Sequence, residues 1–348
     1  MKFLFTINSL EGVWFSKMIK NRHIAISNWA AGFLFSAVVS ACTFHILFHQ
    51  INLDWHSSII RSQGVMSGYP DWIAFQNRLL GPMLVQAIHL TGIEYDAAHM
   101  FVQAFAWLLN CALVYVFVTA SGRSPQTAII AVTSFAIIFL FSQYRRLLIW
   151  DSLDLLMMTT LAYLAFSLPR LRYLIPLFIF GILNRESGLF VALFILIDAF
   201  DTDALLRLRI RVTNWFKFWT GISLMLIGII YVKSVRTLFF IETRGGTDDI
   251  EHQLIGNHFQ IFTNLRGIIR GSFLDTNFAH TAMVAALVAT LLFFFWNDTD
   301  RRRKGAILTL AILANILMFG IFRETRTLLP LLPLALFYGL DRWSPGKP

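Results

Sequence analysis

A polytopic all-α integral membrane protein of about ten spans is the fold class predicted by this 348-residue sequence. Three observations carry that reading. The chain is 57% apolar and only 14% charged, with a mean hydropathy of +0.63, against about 25% charged residues in a soluble domain. Apolar runs recur along the whole length. The basic residues gather in short clusters between those runs. This composition excludes a cytosolic enzyme, a disordered scaffold and a secreted disulfide module, and the two cysteines, Cys42 and Cys111, both lie inside apolar runs.

Measured against the roughly 20 residues that a spanning helix needs, the candidate spans are 29–48, 99–120, 127–142, 152–168, 173–183, 188–199, 216–232, 279–297, 305–322 and 327–340. Two pairs are short hairpins with charged tips, Asn184-Arg185-Glu186-Ser187 and Arg323-Glu324-Thr325-Arg326. A single long helix over 173–199, with Arg185 and Glu186 at mid-membrane, is the alternative. Charge placement decides between them. With ten spans and both termini cytoplasmic, the inner segments and their edges hold 17 of the 29 Lys/Arg and 7 of the 20 Asp/Glu, leaving 12 and 13 outside. The clusters Lys17–Arg22, Arg207–Arg211 and Arg301–Lys304 then all face inward, as the positive-inside rule requires. A single helix at 173–199 places one basic group on the wrong side. The formal charge of +9 therefore reports topology, and no nucleic-acid partner is expected.

Residues 1–17 are no signal peptide, because Lys17, Lys20 and Arg22 follow the apolar part. Met18 is the expected natural start. The whole of 1–348 reads as one membrane domain, with a first outer loop over 50–96 and a second large outer loop over 233–278.

Charges near spans are expensive and are functional suspects by default. The threading puts the unusual ones on the outer side: Asp54, Arg61, Asp71 and Arg78, then Arg145, Arg146, Asp151 and Asp154, the two hairpin tips, and the 233–278 loop. Hairpin arms this short place their tips below the outer surface, at the floor of a one-sided, water-filled recess. Arg145, Arg146, Asp151 and Asp154 read as a solvated turn network. The stretch 79–91, with Gly81 and Pro82 near its start, reads as a helix lying in the outer interface, anchored by Trp72 and His89. His252 and His258 with nearby acids, and His45, His49 and His56 on one helical face, match no metal-ligand spacing. No metal ligand is assigned. No phosphate-cradling or dinucleotide-binding glycine pattern occurs, which argues against a nucleotide-sugar donor.

In the first outer loop Asp54 follows the first span, Gly64 and Gly68-Tyr69 come next, and Arg78-Leu79-Leu80-Gly81-Pro82-Met83-Leu84 closes the pattern. This resembles bacterial polytopic glycosyltransferases of the C superfamily (GT-C), whose mannosyltransferase-like members run Asp…Gly-Tyr…Arg-x-Leu-x-Pro-x-Leu here. The layout resembles the family over about residues 29–200, and the specific residues fall within 54–84. The chain departs from many relatives in having Trp55 after Asp54, where they carry a second acid.

The resemblance implies a hexosyltransferase of the bacterial inner membrane that takes a polyprenyl-phosphate sugar as co-substrate and modifies a cell-envelope glycan or lipid at the outer face. A carboxylate takes the acceptor's proton, and arginines stabilise the departing phosphate through their paired N–H groups. Asp54 is the first candidate base and Asp71 the second. Arg78, Arg185, Arg323 and Arg326 are candidates for the lipid phosphate, with Glu186 and Glu324 orienting them. No cofactor is assigned, and a divalent metal stays open. Beside these roles stand plainer ones: Asp54 paired with Arg61 at the interface, Arg78 as a snorkelling anchor, and Arg185–Glu186 and Arg323–Glu324 as ion pairs stitching the tips. Two other functions compete, an O-antigen-type polymerase or ligase and a lipid or solute transporter (flippase).

Overall fold

The computed structural model describes residues 29–51, 55–70, 75–142, 147–167, 169–207, 209–238, 261–269, 299–319 and 328–342. The described residues are helical throughout, apart from one isolated bridge between Phe200 and Val212. In chain order the helices are α1 (Trp29–Ile51), α2 (Trp55–Met66), α3 (Leu80–His89), α4 (Tyr95–Ala120), α5 (Pro125–Ser142), α6 (Ile149–Phe166), α7 (Leu171–Asn184), α8 (Leu189–Asp198), α9 (Thr202–Leu206), α10 (Trp215–Leu238), α11 (Ile261–Ile269), α12 (Asp300–Phe319) and α13 (Leu331–Arg342).

Five of these, α1, α4, α5, α6 and α10, are long and apolar enough to cross a membrane. Nine of the ten candidate spans fall on helices; 279–297 lies outside the described residues. Chain 173–199 is a hairpin and not one long helix. α7 ends at Asn184, a single 3-10 turn occupies Glu186–Gly188, and α8 returns. Its arms meet at glycine. A Cβ on Gly181 would stand 2.8 Å from the Gly188 Cα and would also strike the Met157 sulfur.

α6 sits at the centre, with α4, α7, α12 and α13 packed around it, and α10 lies along α8. Burial follows this order. The apolar window of α6 is 78% buried and that of α10 only 17%. α10 instead exposes Trp215, Phe216, Trp219, Ile227 and Ile230. An apolar face of that size is costly in water and suits a lipid environment.

The bundle has two ends. At one end, called here the basic end, helices start on side-chain caps: the Ser124 hydroxyl accepts the Thr127 N–H, and the Asn214 amide oxygen accepts the Lys217 N–H at 2.9 Å. Asp198, the last residue of α8, is bonded by Lys217 and, at 3.0 Å, by Lys304, which also meets Asp300 at 2.8 Å. Arg303 pairs with Asp203, and Thr202 donates to Asp300. The other end, where α4 and α6 begin and α7 and α10 finish, holds the candidate site.

Candidate functional site

The site is built around the first turns of α6. Asp151 lies in the first turn, where its carboxylate accepts the Leu148 N–H at 3.3 Å and caps the helix. Asp154, three residues on, shares that face of the helix. Both are buried, at 2% and 3% exposure. This corrects the solvated-turn reading of these acids: α6 starts at Ile149 and takes both carboxylates into the bundle.

The tip between α7 and α8 supplies the countercharge. Arg185 Nη1 stands 3.3 Å from Asp151 Oδ1 and 3.8 Å from Asp154 Oδ2, and the Ser187 hydroxyl donates to Asp154. Asn184 donates to the Trp150 carbonyl at 2.9 Å. Four consecutive residues of the tip thus hold two sides of the site: Asn184, Arg185 and Ser187 reach α6, while Glu186 turns the other way and pairs with Arg236 of α10. Among the described residues Arg185 pairs with α6 and Glu186 with α10; the second hairpin tip lies outside the described residues. Arg236 also donates to Asn77 at 3.0 Å. A helical side chain leans toward its N-terminus, which brings Arg236, near the end of α10, back down to the tip.

The segment before α3 closes the site. The Leu79 N–H bonds the Leu183 carbonyl at 3.0 Å, tying this segment to the end of α7. Arg78 is 7% exposed, with its guanidinium 5.0 Å from the Phe75 ring centre and 5.1 Å from that of Trp150. Cations over ring faces are attracted by the ring quadrupole. So Arg78 does not snorkel at the rim; it is an inward group. α3 packs on α4 and α2 and exposes Met83 and Leu84, an apolar outer face of the kind an interfacial helix presents. Gly81 permits its close approach to α6, since a Cβ there would meet Ile149 Cγ2 at 2.9 Å.

The depth of the tip follows from helix length. From Asp198 back to Glu186 the chain rises by about 18–20 Å, against a hydrocarbon thickness of about 30 Å. A span of that length counted from Asp198 would leave the Arg185–Glu186 tip about 10 Å short of the far side of such a hydrocarbon layer. Charged groups at that depth are tolerated when paired or wet.

Of the sequence candidates, Arg78, Arg185 and Glu186 come together here. Asp54, Asp71, Arg323, Arg326 and Glu324 lie outside the described residues, as do Arg145, Arg146, Trp72, His252 and His258. His45 and His49 lie with ring centres 4.5 Å apart and planes tilted by 51° on the exposed side of α1, and the described residues contain no group of three His, Cys, Asp or Glu fit to hold a metal ion. The sequence reading did not single out Arg236. Its span ended at residue 232, which put Arg236 among loop residues, while the helix runs on to Leu238. A helical reading carried one turn beyond the apolar run would have placed it.

Three arginines and three carboxylates, formally neutral in sum, therefore face one another at one end of the bundle. Chemically the arrangement offers guanidinium forks whose present partners are carboxylates, the same geometry a phosphate presents. No protein-family model matches the chain, and no curated protein matches it either.

Proposed function

We propose that the protein is a membrane glycosyltransferase of the bacterial inner membrane, which moves a sugar from a polyprenyl-phosphate donor to a cell-envelope glycan or lipid at the outer face. In this reading the chain threads ten times with both termini cytoplasmic, and the site end faces outward. The positive-inside rule supports that orientation, since Arg207–Arg211 and Arg301–Lys304 belong to the basic end.

The observation that carries the proposal is the gathering of Arg78, Arg185 and Arg236 at one end of the bundle beside α3. A polyprenyl phosphate keeps its chain in lipid and its phosphate at headgroup depth. The exposed Met83 and Leu84 of α3 offer the chain an apolar neighbour, and the arginines offer the phosphate cationic donors. A phosphate arriving here competes with Asp151, Asp154 and Glu186 for the guanidinium groups, so recognition is an exchange of one oxyanion for another. Arg323 and Arg326 are further candidates for the phosphate, with Glu324 orienting them as Glu186 holds Arg236. Asp54, or else Asp71, takes the proton of the acceptor hydroxyl as its oxygen attacks the anomeric carbon and the carrier phosphate departs. The resemblance to GT-C enzymes supports this assignment of the base. A divalent ion stays open as an aid to the leaving phosphate.

A polymerase or ligase would use the same arginines without the first-loop carboxylates. Separate Asp54→Asn and Asp71→Asn variants distinguish the two, since the transferase loses activity with one of them and a ligase keeps it with both. A flippase would expose its tips to each side in turn, so labelling of cysteines placed at Ser187 and Thr325 from one side only argues against it. The primary test compares lipid-linked intermediates and surface glycan in a strain lacking the protein with its parent. Accumulation of a polyprenyl-phosphate sugar is the expected result, and an unchanged pool and glycan contradict the proposal.

A further inference from the structure

Beside the charged cluster runs a seam of neutral polar groups that the proposed chemistry does not use. On α4 the residues His99, Gln103 and Trp107 recur every four positions and so form one stripe. All three are buried, at 0%, 0% and 1% exposure. The stripe meets the start of α6. Gln103 Nε2 donates to the Leu147 carbonyl at 3.3 Å, which the Ser58 hydroxyl of α2 also reaches at 3.1 Å. Lower down, Asn110 Nδ2 donates to the Ser152 carbonyl at 3.0 Å, and the Thr159 hydroxyl donates to Asn110 Oδ1 at 3.4 Å.

The backbone contacts are thus made, yet side-chain atoms along the seam are left over. Both ring nitrogens of His99, Oε1 of Gln103, Oγ of Ser152 and Nε1 of Trp107 are buried and find no hydrogen-bond partner among the described residues. Each such group, if dry, gives up the hydrogen bonds to water that it makes in the unfolded chain and gets none in return. Several in contiguous positions exceed what a marginally stable fold tolerates without compensation.

We propose that this seam is a bound-water site, a wet wedge along the α4 stripe where α4 meets α2 and the start of α6, running inward from the site end. The mixture of groups selects the occupant. A neutral imidazole gives one donor and one acceptor, Gln103 an acceptor, Ser152 either, and Trp107 a donor. An ion would ask for one kind of partner; water takes both. About two waters, each making some three hydrogen bonds, would satisfy the set. The wedge has a floor. The Trp107 ring lies on Phe139 and Phe135, with ring centres 4.0 and 5.8 Å away, and below it α4 presents the buried Cys111, Val114 and Val118. From Tyr95 to Trp107 is about 18 Å of helix, so the water reaches mid-membrane from one side and stops. The inference holds whether or not a lipid phosphate binds above.

Hydroxyl-radical footprinting of the full chain in lipid nanodiscs tests it without any substrate. Radicals form where water is bound. Trp107 and His99 should oxidise several-fold faster than Tyr338, which is equally buried at 1% but belongs to the basic end. Oxidation of Trp107 as slow as that of Tyr338 overturns the proposal. Ser152→Ala supplies a second readout. If the seam is wet, it lowers the Tm and slows Trp107 oxidation. If it is dry, it removes an unsatisfied hydroxyl and raises the Tm, which also overturns the proposal. Should a variant fail to fold, the comparison of Trp107 with Tyr338 in the unaltered chain decides alone.

Discussion

The two ends of the bundle solve the problem of buried charge in different ways. At the basic end Asp198 is bonded by Lys217 and Lys304, Asp300 by Lys304 and Thr202, and Asp203 by Arg303. At the site end Arg185 stands 3.3 and 3.8 Å from its two carboxylates, and the pairs lie among leftover groups: Asn77 Nδ2, Gln103 Oε1, Ser152 Oγ and Asn184 Oδ1 are buried without a partner among the described residues. Among the described residues the basic-end network leaves no buried side-chain atom unanswered, and such a network has no reason to take a ligand. One with valences to spare does. The contrast is the reason the proposed site is placed at this end rather than at the basic one.

The largest expected effect comes from breaking the site end's pairing. Arg185→Met takes from the buried Asp151 and Asp154 the guanidinium that pairs with both, and removal of one partner from a buried pair costs about 3–5 kcal/mol. Chemical denaturation in detergent should show that loss, and adding Asp154→Asn should restore part of it. At the basic end Lys304→Met removes charged hydrogen bonds from Asp198 but leaves it Lys217, so a smaller cost of about 1.5–3 kcal/mol is expected. The Arg211–Asp201 pair, at 3.7 Å with Arg211 76% exposed, should give at most about 1 kcal/mol on Arg211→Ala. If Lys304→Met proves as damaging as Arg185→Met, the contrast between the ends fails.

A pH series sharpens the same comparison. Burial raises the Asp300 carboxyl, but hydrogen bonds from Lys304 and Thr202 outweigh it and hold the group below its ordinary 3.8. Burial works against the Lys304 ammonium too, and its bonds to Asp300 and Asp198 raise it above 10.5. The Asp300 contribution is therefore complete above 3.8 and lost as pH falls through the lowered value. That of Lys304 is complete below 10.5 and lost as pH rises through the raised one. The basic end should be insensitive to pH between about 5 and 10, measurable as protection of the α8–α10 turn in hydrogen exchange. A transition near neutrality at that turn would contradict this.

Much of the fold is legible in the sequence because hydropathy and charge bias are local signals. The hairpin at 173–199 follows from where the basic clusters fall, and α3 from a short apolar stretch after Arg78. What escaped depends on pairing across the bundle. Asp151 and Asp154 read as surface groups because a lone carboxylate in a span is costly; Arg185, more than thirty residues away, removes that cost. Arg236 was hidden by a helix that outlasts its apolar run. The α4 seam did leave a trace, since His99, Gln103 and Asn110 fall at helical spacing in an otherwise apolar segment. Which helix they face is not written locally.

The central claim is that the arginines of the site end receive a lipid-linked phosphate. Native mass spectrometry of the purified protein with added undecaprenyl phosphate tests it most directly, comparing the unaltered chain with Arg78→Gln and Arg303→Gln. Binding that falls about tenfold, or about 1.4 kcal/mol, with Arg78→Gln and is unchanged with Arg303→Gln is the expected result. Equal binding by all three, or none by the unaltered chain, would contradict the claim.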